Sequence, residues 1–282
     1  MNHFRLIADS GSTKTDWAVG QAFLKTQGIN PFHQDDEAIL SILRDELLPQ
    51  VAEHVKDLSL LTSIRFYGSG VRPELESRME QLLQRVFPSA TDVEARSDML
   101  GAARALCGSH EGLACILGTG ANSCLYDGRQ IVANTPALGY VLGDEGSGAV
   151  LGKLFLNALY KNRLYAGAQE DFEQYTGLSM VDVIARVYRQ PMANRFLASL
   201  STYICRQVHH AEVRSLVVEN FRQFIRYNIA PYRRPDLPLS AVGSIAWHYQ
   251  TLLAEAAEAE GYQLGRILKS PIDGLVQAEG FA

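Results

Sequence analysis

The chain has 282 residues, with 26 Lys plus Arg against 31 Asp plus Glu, a net charge of −5, and 47% hydrophobic residues. That balance excludes a sequence-blind nucleic-acid binder, which needs a basic excess to displace counterions, and the chain is too apolar to be disordered. No apolar run reaches the roughly 18 residues of a membrane span. The N-terminal MNHFRLIADSGS lacks a signal-peptide layout, and Cys107, Cys115, Cys124 and Cys205 form no CxxC pair. A soluble, cytoplasmic protein of one large or two ordinary domains is the expectation.

In chain order, FRLIAD alternates as a strand, SGSTKT is turn-rich, and DWAVG reads as a second strand. The commoner phosphate loops run instead from a strand into a helix. DEAILSILRDELLPQVAEHV places Ile39, Ile42, Leu43 and Leu47 at amphipathic-helix spacing. SIRFYG reads as a buried strand, PELESRMEQLLQRVF as a helix closed by Pro88, and DVEARS as a further strand. Asp98 sits where that strand gives way to a helix whose apolar stripe is Met99, Ala102, Ala103 and Leu106. The βαβ alternation predicts a mainly parallel sheet with helices on its faces.

At residue 112 the character changes. GLACILGTGANSCLYDGRQIVAN holds three short strands with Gly turns, and Ser147 to about Tyr232 is almost wholly helical. The turn-rich PYRRPDLP, a strand (LSAVGS) and a long helix (IAWHYQTLLAEAAEAEG) follow. The best cut lies near residue 113, giving lobes 1–113 and 114–282, with function expected in a cleft between them.

Five motifs carry possible chemistry. In Asp9-Ser10-Gly11-Ser12-Thr13-Lys14-Thr15-Asp16 the residue before Lys14 is Thr, so this is not a Walker A loop. It still suits a polyphosphate: small residues let N–H groups approach, Thr13 and Thr15 add hydroxyls, and Lys14 adds a point charge. Asp9 could hold Mg2+ through water. An ordinary polar hairpin is the alternative. In Leu117-Gly118-Thr119-Gly120-Ala121-Asn122-Ser123, again between strands, Gly118 and Gly120 permit close approach and Thr119 can donate. Paired with the first turn, it could clamp one polyphosphate from the other side.

Gly143-Asp144-Glu145-Gly146-Ser147-Gly148 puts two carboxylates in a Gly-rich turn, able to hold substrate hydroxyls or to begin a helix. Asp98 is either an N-cap or a group at the carboxyl end of a strand, where open α/β sheets bind ligands. Val242-Gly243-Ser244 opens a helix and offers a seat for ribose or phosphate. His209-His210 lacks partners at metal spacing and reads as a solvated helix face, while Trp17 and Trp247 read as core or cleft-edge aromatics.

Together these pieces resemble the actin, hexokinase and heat-shock ATPase superfamily. Within it, DSGSTKTDWAV, SDMLGAARA, ILGTGANS and LGDEGSGAVLG resemble the N-acetylglucosamine kinase-like group, which also contains activator ATPases of benzoyl-CoA reductase and related dehydratases. The likeness extends from residue 6 to the C-terminal KSPIDGLV. It implies an α/β, two-lobed actin-like ATPase (ribonuclease H-like) fold, with a cleft between lobes and a helical insertion in the second. A final helix at about 270–282 would pack back on the first lobe.

The resemblance also assigns roles. Gly11, Ser12, Thr13 and Lys14 become the first phosphate loop, with Asp9 near Mg2+; Gly118, Thr119, Gly120 and Asn122 become the second, and Gly243 with Ser244 the adenosine turn. Asp98 falls at the catalytic carboxylate, and Asn30, Ser69, Asp98 and Asp144 fall at sugar-contacting positions. Ser244 stands where the family usually has a second Gly, and Leu138 where the N-acetylglucosamine enzymes have a pocket Trp. The resemblance implies ATP-dependent phosphorylation of an amino-sugar hydroxyl, most of all on N-acetylglucosamine, and a homodimer. The rival readings are an iron–sulfur activator ATPase, for which the four cysteines lack the expected pairing, and a nucleotide- and sugar-binding sensor without turnover.

Overall fold

The computed structural model describes residues 3–11 and 13–279, in two compact units: residues up to 109 together with those from 270 onward, and residues 110–269. The first unit is built on a five-stranded sheet of β1 (Phe4–Ser10), β2 (Lys14–Val19), β3 (Ala22–Gln27), β4 (Leu61–Gly68) and β5 (Asp92–Ser97), in the order β3-β2-β1-β4-β5. The mainly parallel sheet expected from βαβ alternation is therefore corrected to a mixed one. β1, β4 and β5 run parallel, while β1-β2-β3 is an antiparallel meander. β3 is absent from the sequence reading although AFLKTQ alternates, with Leu24 and Thr26 buried and Phe23, Lys25 and Gln27 outside.

Helices complete this unit. The amphipathic run at 36–55 forms α1 (Asp36–Ser41), capped by the Asp35 carboxylate on the Ala38 N–H, and α2 (Leu48–His54), joined by a widened π turn over Ile42–Leu47. Pro49 lacks the N–H that would close a normal turn, which accounts for the widening. α3 (Pro73–Val86) buries Met79, Leu82 and Leu83, and α4 (Asp98–Cys107) buries Met99, Ala102, Ala103 and Leu106. The core is centred on Trp17, fully buried, tilted against Phe66 and donating its indole N–H to Thr26 at 3.0 Å.

The last described helix, α14 as counted over the whole chain (Pro271–Ala278), packs on α4. Glu279 behind it meets three basic groups: Arg5, Arg65 and Arg104 lie 3.3, 3.8 and 3.8 Å from its carboxylate. Tyr67 donates to the same carboxylate at 2.8 Å and accepts from Arg104 at 2.6 Å. The end of the chain thus closes a polar knot over the start of it.

The second unit repeats the topology. β6 (Glu111–Leu117), β7 (Ala121–Asp127), β8 (Ile131–Thr135), β9 (Leu239–Val242) and β10 (Leu264–Leu268) pair as β10-β9-β6-β7-β8, antiparallel through β6-β7-β8 and parallel through β6, β9 and β10. β10 also escapes the sequence reading; four of its residues are part-buried, Arg266 is exposed, and there is no alternation.

The helical stretch between β8 and β9 breaks into short pieces: α5 (Gly139–Leu142), α6 (Gly148–Tyr160), α7 (Ala168–Thr176), α8 (Met180–Tyr188), α9 (Ala193–Ser199), α10 (Ser201–Arg206) and α11 (Ala211–Phe224). The helix expected from Ile245 onward is split into α12 (Ser244–His248) and α13 (Gln250–Ala259). Of the two tryptophans, Trp17 is core and Trp247 is 40% exposed.

α4 lies close over β4 because residue 101 has no side chain. A Cβ there would come within 2.6 Å of the Tyr67 Cβ and 2.7 Å of its Cγ, both held in a buried strand. Gly101→Ala should therefore lift the helix that begins with Asp98 and cost about 1–3 kcal/mol. Urea unfolding measures this, and a loss below about 0.5 kcal/mol would show that the helix has slack.

Candidate active site

In the first unit the parallel register places Ser10, Gly68 and Ser97 side by side as the last residues of β1, β4 and β5. The chain leaves all three strands at one level. Gly11, Ser69 and Asp98 are the next residues on each, so three of the sequence-predicted site residues gather at the carboxyl ends of parallel strands, where α/β sheets bind ligands.

Ser10, buried, organises this edge. Its hydroxyl accepts from the Ile29 N–H at 3.0 Å, lies 2.9 Å from the Ile29 carbonyl, and sits 2.7 Å from the Thr15 hydroxyl. Its carbonyl accepts the Ser69 N–H at 2.8 Å. Asn30 is thereby held beside the Ser69–Gly70 turn. Gly70 has φ +80°, and a Cβ there would fall 2.1 Å from the Asn30 Oδ1. Only glycine fits, and Asn30 and Ser69 are brought together because of it. The Asn30 Oδ1 also accepts the Phe32 N–H at 3.0 Å.

Asp98 is the first residue of α4. The N-cap is Ser97, whose hydroxyl accepts from Leu100 at 3.3 Å. The capping role weighed for Asp98 is thus filled by its neighbour. One Asp98 oxygen accepts the Met99 N–H at 2.8 Å, and no Lys or Arg forms an ion pair with it among the described residues. Burial raises its pKa above the ordinary carboxylate value.

Asp9 pairs in register with Asp16 on β2. Its pKa is pushed up to about 7, chiefly by burial, then by the negative charges of Asp98 and Asp16, with Lys14 opposing. Lys14 is half-exposed and forms a 2.5 Å ion pair with Asp16.

The hairpin turn between β1 and β2 is closed by the Gly11 N–H on the Lys14 carbonyl at 3.0 Å. A Cβ on Gly11 would meet just that carbonyl at an ordinary 3.7 Å, so the fold itself does not require glycine there. Gly11, Thr13 and Lys14 are exposed, and Ser12 lies outside the described residues. Three converging carboxylates whose charge is incompletely balanced suit a hydrated divalent cation. Among the described residues no group of three Asp, Glu, His or Cys is close enough to ligate a metal directly.

In the second unit, Gly118, Thr119 and Gly120 form the turn between β6 and β7. The carbonyls of Gly118 and Thr119 accept the N–H groups of Gly148 and Ala149, at 2.8 and 3.1 Å, from the first turn of α6. Ser147 caps that helix on Val150 at 3.1 Å. Nothing lies within 4 Å of a Cβ built on Gly118, so glycine there leaves open space over the turn.

Gly243, at φ +122°, abuts the same turn: a Cβ would come 2.4 Å from the Leu117 carbonyl. Ser244, next to it, is exposed. The Asp144 carboxylate accepts the backbone N–H groups of Ala121 and Gly139, tying this turn to α5, and burial raises its pKa. Asn122 is turned into the sheet, its Oδ1 accepting from Asn134 at 3.0 Å. Glu145 is held by Asn228 at 3.2 Å.

Several supporting residues escaped the sequence reading. Gly70 and Ser97 are adjacent to candidate residues and carry turn or cap chemistry, so their signal was present, while Ser10 stood in the first motif only as a turn residue. Asn220 had none: it is fully buried in α11, 74 residues beyond Gly146, and its Oδ1 accepts the Gly146 N–H at 3.0 Å.

No protein-family model matches the chain, and no curated protein matches its sequence. Among solved structures, a candidate N-acetylglucosamine kinase from Porphyromonas gingivalis is 47% identical over 97% of this chain and 98% of that one, with a TM-score of 0.91. A second candidate N-acetylglucosamine kinase, from Chromobacterium violaceum, is 18% identical with a TM-score of 0.67, covering 99% of each chain. A non-polymerising MamK mutant bound to AMPPNP is 11% identical, covers 99% of each chain and has a TM-score of 0.55. The two remote likenesses show the fold alone, which is that of actin-like ATPases. These relatives give no support to the activator-ATPase side of the resemblance.

A carboxyl whose folded pKa is raised keeps a proton that the unfolded chain releases. The stability it contributes is complete below the unfolded value and is lost as pH rises through the folded one. For Asp9 that window runs from 3.8 to about 7. In chelator, unfolding free energy should therefore fall across this window, and Asp9→Asn should flatten the fall. Superimposable pH profiles from urea melts of the two proteins would contradict the assignment.

Proposed function

The chain belongs to the N-acetylglucosamine kinase-like family of the actin-like ATPase superfamily, and from that premise we propose that it transfers the γ-phosphoryl group of ATP to a hydroxyl of an amino sugar, N-acetylglucosamine foremost. The observation that supports the reading most is the carboxylate of Asp98. It stands at the carboxyl end of β5, relieved of capping by Ser97 and without a cationic partner among the described residues.

Phosphoryl transfer has a loose transition state, so the protein mainly positions reactants and balances charge. Asp98 accepts the proton of the attacking hydroxyl, and the rise in its pKa caused by burial makes it a better base than an exposed carboxylate. Asn30 and Ser69, fixed beside it by Ser10 and Gly70, orient the sugar hydroxyls. Asp144 is assigned a further sugar contact.

Gly11 leaves room for a phosphate to approach the turn, and Ser12 and Thr13 offer N–H and hydroxyl donors to its oxygens. Lys14 exchanges Asp16 for a phosphate, a low-cost move for a half-exposed ammonium. Gly118, Thr119, Gly120 and Asn122 play the corresponding part in the second unit, and Gly243 and Ser244 receive the adenosine. Asp9 would hold the water shell of a magnesium ion, which would offset phosphate charge.

ADP release measured with N-acetylglucosamine, N-acetylmannosamine, glucosamine, glucose and N-acetylmuramate tests the reading. Saturable, Mg2+-dependent release with N-acetylglucosamine is expected; silence with every sugar would overturn it. Asp98→Asn should retain sugar and nucleotide binding while kcat falls by about 10²–10⁴. Unchanged turnover in that variant would remove Asp98 from the mechanism.

A further inference from the structure

Phe32 and Arg72 form a pair that the chemistry above leaves unused. Phe32 stands two residues after Asn30 and Arg72 three after Ser69, so each belongs to a segment carrying a candidate sugar contact. Chain length keeps their Cα atoms within about 7 and 11 Å of those of Asn30 and Ser69. The two segments also touch: Gly70 abuts the Asn30 amide, and the Arg72 guanidinium lies 4.0 Å from the centroid of the Phe32 ring.

Folding explains neither residue. Phe32 is 50% exposed. Arg72 is exposed too and occupies the N-cap of α3, where it makes no capping hydrogen bond and where a cation opposes the helix dipole. No carboxylate forms an ion pair with it among the described residues. The acids of the facing loop are engaged elsewhere, Asp35 on the Ala38 N–H at 2.9 Å and Asp36 on Arg78 at 2.7 Å. The seat beneath the guanidinium is fixed. Gln34 accepts the Asn30 N–H at 2.7 Å and donates to the Gly28 carbonyl at 3.1 Å, while Arg78 donates to the carbonyls of Pro31 and Gln34 at 2.6 and 2.9 Å.

We propose that Arg72, seated on Phe32, is a subsite for a carboxylate carried by the sugar, so that the acceptor is an acidic amino sugar. This rests on the reading that Asn30 and Ser69 contact the sugar. A guanidinium fork pairs with a carboxylate through two parallel hydrogen bonds. Stacking on an aromatic face leaves its N–H edge free for them, and it holds a long side chain that would otherwise lose entropy on binding.

N-acetylmuramate, which is N-acetylglucosamine with a lactyl ether at one hydroxyl, and the uncharged methyl ester of that acid test the subsite by ADP release. The wild-type protein should favour the acid over the ester by about tenfold or more in kcat/KM, a comparison that needs no variant. Arg72→Gln should bring acid and ester level, and Arg72→Lys should keep part of the preference, because a point charge lacks the fork. Phe32→Ala should lower it as well by unseating the guanidinium. Equal use of acid and ester by the wild-type protein, or a preference that survives Arg72→Gln, would overturn the proposal. A rise in KM for ATP with the acid preference intact would do the same, assigning the arginine to the nucleotide. If no sugar releases ADP, the phosphotransfer reading fails by itself, and calorimetric titration of acid and ester decides the subsite. Tighter binding of the acid that is lost in Arg72→Gln supports it; no difference, or no binding, overturns it.

Discussion

The candidate site rests on a matter of register. Because β1, β4 and β5 are hydrogen-bonded in parallel with Ser10, Gly68 and Ser97 abreast, three separate segments leave the sheet at the same height. Slide β5 by one residue and Asp98 would change faces as well as level, since side chains alternate along a strand. The serine hydroxyl at position 10 extends this order beyond the sheet, binding both backbone groups of Ile29 and so fixing the segment that carries Asn30. The chemistry proposed for Asp98 therefore depends on backbone pairing before it depends on any side-chain contact.

Glycine acts in two distinct ways around this edge. At Gly70, Gly101 and Gly243 the protein itself fills the space a side chain would need, and the residue is required by packing or by a left-handed backbone. At Gly11 and Gly118 the space is open and the backbone ordinary, so folding gives no reason for the choice. The absence of any internal demand at these two turns is what a close ligand contact would explain, and both belong to turns between antiparallel strands that feed a parallel one.

Much of this was legible in the amino-acid sequence, because the relevant signals are local. FRLIAD, SIRFYG and DVEARS are short runs bounded by turn residues, and they stand as strands in β1, β4 and β5. β3 and β10 were not legible. β10 is mostly part-buried and shows no alternation, and β3 alternates but follows β2 after only Gly20 and Gln21, so the two strands run together in the sequence. The 36–55 helix was visible as a period, but its widened turn depends on Pro49 and on packing together, and periodicity does not register it.

In the same way, the motif GDEGSG was visible as two acids in a flexible turn. That Asp144 would bind two backbone N–H groups and Glu145 an asparagine in a distant helix follows from long-range contacts, which a window of neighbouring residues does not contain.

The knot at Glu279 carries a consequence for how the chain is made. Arg5, Arg65 and Arg104 are all synthesised well before Glu279, whose carboxylate draws them together. At typical elongation speeds the ribosome needs roughly 10–30 s to travel from the end of α4 to that glutamate. Throughout that interval the nascent sheet holds a cluster of like charges around Tyr67 with Glu94 and Asp92 as its acidic neighbours, and α4 lacks the helix that packs on it. The first unit thus cannot reach its finished form until Glu279 has been made, and an interrupted message would release it incomplete.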